Sequence, residues 1–254
     1  MRFTNSPLVN YTKISPNRTK NRNHKIDTIT IHCVAGQCSV ETVGQVFAPK
    51  SRKASSNYGI GPDGRIGMYC EEKDRSWCSS SSSNDHRAIT IEVASDKTEP
   101  YAVRDKAYAS LINLVTDICK RNGIKELKWK GDKSLIGQVD KQNMTVHKWF
   151  KDTACPGTYL YNHMGDIAAQ VNKRLAVGTD KNKTETETKH ESFKSYRVRV
   201  NISDLNIRKG PGTKYKIVGH IRDRGVYTIV GESKGWGKLK SGAGWISLNY
   251  TSKI

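Results

Sequence analysis

The sequence predicts a mixed-sheet α/β domain over residues 1–175 and a small all-β barrel over 196–254, joined by a linker at 176–195. Three observations predict it. Up to Leu175, β-branched runs such as Ile26–Cys33 and Ala88–Ser95 alternate with segments of helical periodicity, the pattern of an α/β layer. From Ala176 the composition shifts to AVGTDKNKTETETKHESFKS, which has almost no apolar anchor. Beyond it, short β-like runs are punctuated by glycines, as in small barrels.

Residues 1–25 are polar and basic, and Pro7 and Pro16 break any helix, so they form an extended arm packed across the first domain. Ile26–Cys33 is a β-branched strand with His32 at its end. Ser39 offers an N-cap to a short helix whose apolar face is Val40, Val43 and Phe47 and which stops at Pro49. The cationic loop SRKASS then leads towards the site. Strands at Asn57–Gly61 and Arg65–Cys70 are joined by a tight turn at Pro62-Asp63-Gly64. The serine run Ser79–Ser83 is expected to be a mobile loop. Ala88–Ser95 is a central strand in which Glu92 is out of character; by pattern alone it marks an edge strand with the carboxylate in water.

Val103–Asn122 is the clearest helix, with Ala107, Leu111, Leu114, Val115, Ile118 and Cys119 at three- and four-residue spacing and Gly123 as its stop. Leu135–Val139 is a further short strand, and Gly157–Leu175 a closing helix. Hairpin and crossover links both occur, so the sheet is mixed. In the second domain the runs are Arg197–Ile202, Ile217–His220, Val226–Val230, Trp236–Lys238 and Gly244–Ile246.

The chain carries a formal net charge of +19, which favours anionic partners: nucleic acid, anionic lipid or the phosphate polymers of a bacterial wall. No helix-turn-helix, zinc-finger or RRM pattern is present, so nucleic acid is not expected. From Lys194 onwards there are 13 Lys and Arg against 3 Asp and Glu, about half of the net charge. No apolar run of about 18 residues exists, so no transmembrane segment is expected. The first 25 residues have no apolar stretch behind their charges, so no secretory signal is expected either. The 6 cysteines are then expected to be free thiols. The separations of Cys33 from Cys38 and of Cys70 from Cys78 suit a structural zinc poorly.

The stretch Thr145–Gly157, TVHKWFKDTACPG, sets His147 eight residues before Cys155, with a turn at Pro156-Gly157. Together with His32 these form two imidazoles and a thiol, the donor set of a catalytic Zn²⁺ that keeps a fourth position open. With 7 His and 6 Cys in the chain, many triples are available, so spacing does not decide.

The blocks TITIHC, SSNYGIGPDGRI, AITIEVAS and HKWFKDTACPG, in this order across residues 1–175, resemble the type 2 zinc N-acetylmuramoyl-L-alanine amidases, relatives of peptidoglycan recognition proteins. The resemblance implies Zn²⁺ held by His32, His147 and Cys155, with Glu92 facing the metal as general acid–base. It also implies hydrolysis of the amide between N-acetylmuramic acid and the first L-alanine of the stem peptide. Two departures stand out. Thr153 stands where some relatives place a lysine that stabilises the oxyanion, so a hydroxyl replaces a cation, as in catalytic peptidoglycan recognition proteins. Ser56 stands where some phage relatives have a tyrosine, two residues before the aromatic position matched by Tyr58, which leaves more of the proton handling to Glu92.

The wording DLNIRKGPGTKYKIVG and GWGKLKSGAGWISLNY resembles bacterial SH3-like (SH3b) wall-binding domains. The combination resembles a phage endolysin of clostridial type, whose partners are peptidoglycan and anionic wall polymers. Such a protein is expected to stay in the host cytoplasm until lysis. The alternatives are a non-catalytic peptidoglycan-binding relative, which usually lacks the cysteine ligand, and a host autolysin with the same chemistry.

Overall fold

The computed structural model describes residues 3–176, 195–233 and 235–254. The linker expected at 176–195 therefore lies outside the described residues except at its two ends. The chain divides into two compact units, Met1–Lys183 and Thr184–Ile254.

In the first unit the arm contributes β1 (Tyr11–Thr12) and β2 (Arg18–Thr19). They are followed by β3 (Thr28–Cys33), α1 (Val40–Val46), β4 (Tyr58–Ile60), β5 (Ile66–Met68), β6 (Arg75–Ser76), α2 (Ser82–Arg87) and β7 (Ala88–Val93). Then come α3 (Asp105–Asn122), β8 (Met144–Val146) and α4 (Gly157–Ala176). The main sheet runs β1-β5-β4-β7-β3-β8. Every neighbouring pair in it is parallel except β4–β5, so the sheet is mixed as expected.

The alternation within β3 and β7 explains how this sheet carries both a core and a site. Ile29, Ile31, Ile89 and Ile91 are fully buried against Leu111 and Ile118 of α3 and Leu160 and Met164 of α4. The residues between them point to the other face, where the buried groups are polar. Thr30 Oγ1 lies 2.8 Å from Thr145 Oγ1, and Asn84 of α2 donates from Nδ2 to Thr30 Oγ1 at 3.0 Å. Ser76 Oγ lies 2.7 Å from Thr90 Oγ1. Helix α3 ends at Gly123 in the left-handed region (φ 69), as its sequence position requires.

Two expected elements are different in the structure. The serine run is not a loop throughout, because Ser82 and Ser83 open α2. Ser81 Oγ caps α2 by accepting from Asn84 N–H at 3.3 Å, and Ser79 N–H donates to the Asp85 carboxylate at 3.2 Å, so these serines serve local hydrogen bonding. Nor is Leu135–Val139 a strand. Asp132 Oδ1 accepts from Ser134 N–H at 2.8 Å and starts a 3₁₀ turn at Lys133–Leu135, and Gly137 at φ 85 continues the chain in turns. The strand that leads to His147 is β8.

The arm is tied down as expected. β1 runs parallel to β5 and β2 antiparallel to β6. Arg22 is buried and donates to the carbonyls of Glu72 (2.6 Å), Asp74 (3.0 Å), His86 (2.8 Å) and Ala88 (3.2 Å). Burial lowers its pKa to about 10. Next to it Glu72, fully buried, accepts from Tyr58 OH at 2.7 Å and Asn122 Nδ2 at 3.0 Å and pairs with Arg121 Nη2 at 2.5 Å.

The second unit contains β9 (Tyr196–Val200), β10 (Leu205–Arg208), β11 (Ile217–Ile221), β12 (Val226–Ser233), β13 (Trp236–Leu239), β14 (Trp245–Ser247) and β15 (Thr251–Lys253). They form one antiparallel sheet in the order β11-β10-β14-β13-β12-β9-β15 over a small core that includes Val198, Leu205, Ile229, Leu239 and Ile246. Strands β10 and β15 join the runs read from the sequence. Gly244 (φ 141) lets β14 reach β10, because a Cβ there would stand 2.5 Å from Arg208 O.

The Glu72 cluster makes a stability prediction. Glu72→Ala leaves the Arg121 guanidinium and the Tyr58 hydroxyl without their shared acceptor and should destabilise the first unit by about 3 kcal/mol. Urea denaturation followed by circular dichroism measures this, and an unchanged midpoint would show that the cluster contributes nothing.

Candidate metal centre

Residues of β3 and β7 pair one to one, so that His32 lies opposite Glu92 at the carboxyl ends of two parallel strands. That end of an open α/β sheet is where ligand sites form. β8 pairs with β3 on its other side, Ile31 opposite Val146, which delivers His147 beside His32 with ring centroids 4.9 Å apart. The loop after His147 folds back through Phe150 N–H to His147 O at 2.9 Å and Lys148 N–H to Cys155 O at 3.0 Å. Cys155 Sγ thereby reaches β3, where it accepts from Cys33 N–H at 3.4 Å and lies 3.5 Å from His32 Nδ1. The turn that ends the loop needs Gly157 (φ 77), since a Cβ there would meet Tyr101 at 2.6 Å.

Ligand atoms of His32, His147 and Cys155 all lie within 4.8 Å of one another. Two facts fit these residues to a bound metal ion. His32 Nε2, His147 Nε2 and Glu92 Oε2 are buried without a hydrogen-bond partner, which folded proteins rarely tolerate. Two imidazoles and a thiol are also a donor set suited to a borderline-soft dication.

Protonation follows from burial. Desolvation, aided by His147, lowers the His32 pKa to about 3, and burial with Lys151 lowers that of His147, so both rings are neutral near pH 7. Neighbouring Cys33 and burial push the Cys155 thiol up. Burial, with Cys33, raises Glu92 to about 8. A divalent cation reverses both upward shifts by favouring the anions.

Glu92 and Thr153 line the same cleft of about 390 Å³, whose other walls include Val43, Phe47, Arg52 and Tyr101. Thr153 Oγ1 accepts from Cys155 N–H at 3.3 Å. The structure thus brings His32, Glu92, His147, Thr153 and Cys155 together. Ser56 is buried and donates to Tyr58 O at 2.8 Å, while the Tyr58 hydroxyl is committed to Glu72, so neither supplies a phenol to the centre.

The sequence reading missed Cys78, whose Sγ lies 3.9 Å from Glu92 Oε1 and whose ligand atom also lies within 4.8 Å of those of His32 and Glu92. It also missed Tyr101 and Lys151. Arg52 sits in the cationic loop that was expected to approach the site. Lys151 lies inside the block HKWFKDTACPG but is not singled out by it, and no periodicity or motif marks Cys78 or Tyr101. All six cysteines are free thiols.

Residues 22–158 match the family model of N-acetylmuramoyl-L-alanine amidases, and residues 203–252 match that of bacterial SH3 domains. Among solved structures, the chain is similar to the endolysin N-acetylmuramoyl-L-alanine amidase LysCS from Clostridium intestinale URNW, with 21% identity over 65% of this chain and 93% of that one and a TM-score of 0.44. A mutant endolysin from Bacillus subtilis is 18% identical over 64% of this chain and 99% of that one, with a TM-score of 0.46. No curated protein matches the chain. The amidase match spans more than half of the sequence and encloses every residue of the centre, and on that ground the chain belongs to the N-acetylmuramoyl-L-alanine amidase family.

Proposed function

We propose that the first unit is a zinc-dependent hydrolase of peptidoglycan. It cleaves the amide between the lactyl group of N-acetylmuramic acid and the first L-alanine of the stem peptide, and the second unit holds it on the wall. The observation that carries this reading is the convergence of His32, His147 and Cys155 within 4.8 Å beside Glu92 in an open cleft. Zn²⁺ bound by these three residues supplies a Lewis acid and lowers the pKa of water to about 7.

The remaining steps fall to the chain. Glu92 takes a proton from the attacking water and returns it to the departing amine of L-alanine. Burial raises its pKa and a bound cation lowers it, so the carboxyl is not locked in either protonation state. Thr153 already accepts from Cys155 N–H, so its own hydroxyl hydrogen is left to donate to the oxyanion that grows on the substrate carbonyl. Cys33 N–H fixes the Cys155 sulfur through the 3.4 Å contact. In this reading the chain works as an endolysin, held in the host cytoplasm until lysis and then acting on the wall.

The direct test is release of new L-alanine amino groups from purified cell wall, abolished by a chelator and restored by zinc. Zinc and wall binding without amine release would instead indicate a non-catalytic relative.

Cys155→Ser should lose zinc and activity together, because a hydroxyl is a far weaker ligand than a thiolate. Metal analysis of the purified variant checks this. For the wild type, binding requires Cys155 to give up a proton that its surroundings hold tightly, whereas both imidazoles are already neutral. Zinc affinity should therefore rise by at least about tenfold per pH unit through the neutral range, towards about a hundredfold where Glu92 also gives up its proton, and fall in acid. Competition with a chelator at several pH values measures the slope, and a flat profile would remove the thiol from the ligand set.

Glu92→Gln should retain zinc and fold while the rate falls roughly 10²–10⁴-fold, the usual share of a positioned acid–base group. Near wild-type turnover would assign the proton transfers elsewhere.

Ending the chain after Ala176 should leave a zinc-loaded enzyme active on solubilised wall fragments and weak on intact cells, since the second unit contributes effective concentration and no chemistry. Its charge implies that adhesion weakens as salt rises. Equal lysis of intact cells by full-length and shortened chains would refute a targeting role.

A further inference from the structure

The centre lies between two surfaces of different chemistry. Towards α1 the cleft is walled by Val34, Val43, Val46 and Phe47. Past His147 a second groove, of about 590 Å³, carries Arg52, Lys53, Arg75 and Lys151. Arg52 belongs to both surfaces, so the groove continues from the cleft. None of the four cations forms an ion pair among the described residues. The one carboxylate lining the groove, Asp85, is taken up by the N–H groups of Cys78 at 3.0 Å and Ser79 at 3.2 Å. Arg75 is held by Nη2 donating to Thr19 Oγ1 at 2.6 Å, and its Nε has no acceptor.

We propose that this cationic groove is the stem-peptide subsite and that it selects peptides whose second residue bears a free carboxylate over those in which that carboxylate is amidated. The inference rests on the amidase reading. Amide hydrolysis places the acyl and amine portions of the substrate on opposite sides of the scissile bond. The acyl portion here is an uncharged sugar ether, which gains nothing from four unpaired cations and fits the apolar wall. The amine portion is a peptide whose first free carboxylate sits one residue beyond L-alanine. An extended residue spans about 3.5 Å, so that carboxylate lies within about 7 Å of the scissile nitrogen, at the His147 end of the groove. Charge-assisted hydrogen bonds to Arg or Lys are about twice as strong as neutral ones, and amidation removes that difference.

The test compares N-acetylmuramoyl-L-alanyl-D-glutamate with N-acetylmuramoyl-L-alanyl-D-isoglutamine, which differ only in whether the α-carboxylate is free or amidated, as substrates of the full-length, zinc-loaded chain. The acid should show a kcat/KM about tenfold higher. The difference should sit in KM, because the contact is the same in ground and transition states, and should shrink as salt rises. In the double variant Lys53→Gln, Arg75→Gln the ratio should fall towards one, whereas Arg75→Lys should preserve it. Equal kcat/KM for the two peptides in the wild type would overturn the proposal. Calorimetric titration of both peptides reads the groove without turnover. Tighter binding of the acid with no hydrolysis of either supports the subsite and overturns the amidase reading, while equal or absent binding overturns the subsite.

Discussion

The in-register parallel pairing of β3 with β7 is the constraint on which the rest of the structure depends. It sets His32 opposite Glu92, and a slip of one residue would turn one of them into the isoleucine core. Both faces of the pair enforce the register. On one side Ile29 and Ile31 stand opposite Ile89 and Ile91 and are fully buried beneath α3 and α4. On the other, Thr30 is hydrogen-bonded to Thr145 and Asn84, and Thr90 to Ser76, so a shifted pairing would strand buried hydroxyls. The same six-residue strands therefore supply the hydrophobic core and the rigid base of the centre. His147 inherits that rigidity, because β8 is held to β3 directly before it.

Much of this was legible because it rests on local periodicity. The apolar stripe of α3, its glycine stop, the strand ending in His32 and the cap at Ser39 each follow from spacing within one element. The mixed sheet followed from counting hairpin and crossover links. What misled was composition read without partners. A serine-rich run reads as loop throughout until Asp85 and Asn84 turn out to be the groups those serines bind as they enter a helix. The Leu135–Val139 stretch is apolar enough for a strand, but Asp132 and Gly137 impose turns on it.

The centre was legible only in part, for a geometric reason. His32 and Cys155 are separated by 123 positions, and their approach is fixed by sheet order and by a loop closed through backbone hydrogen bonds. Neither has a signature within one window of sequence, and it took four blocks in order to nominate His32, Glu92, His147 and Cys155 together. Cys78 and Tyr101 come from connecting segments placed by tertiary contacts, so no pattern in their own segments nominates them. Glu92 shows the limit most plainly. Taken alone, a carboxylate in an apolar strand signals an edge facing water; in the folded chain the same residue is shielded, partnered by register with His32 and raised to about 8.

Burial also balances the charge of the centre. Without a cation, both imidazoles are neutral, and Cys155 and Glu92 are both shifted towards their protonated forms, so these four groups together lean towards zero charge. A dication held there, with Cys155 as thiolate and Glu92 as carboxylate, also sums to zero. Moving between the two conditions exchanges two protons for one ion without leaving an uncompensated charge in a low-dielectric site, which is the outcome that burial penalises most. The positive charge of Arg52 and Lys151 stays at the exposed rim, where solvent screens it. A second buried carboxylate would break this balance by favouring the ion too strongly over protons, and a third histidine in place of Cys155 would leave the ion-bound centre with a net positive charge. Two histidines, one cysteine and one glutamate are thus a set whose formal charge is zero both with two protons and with one dication.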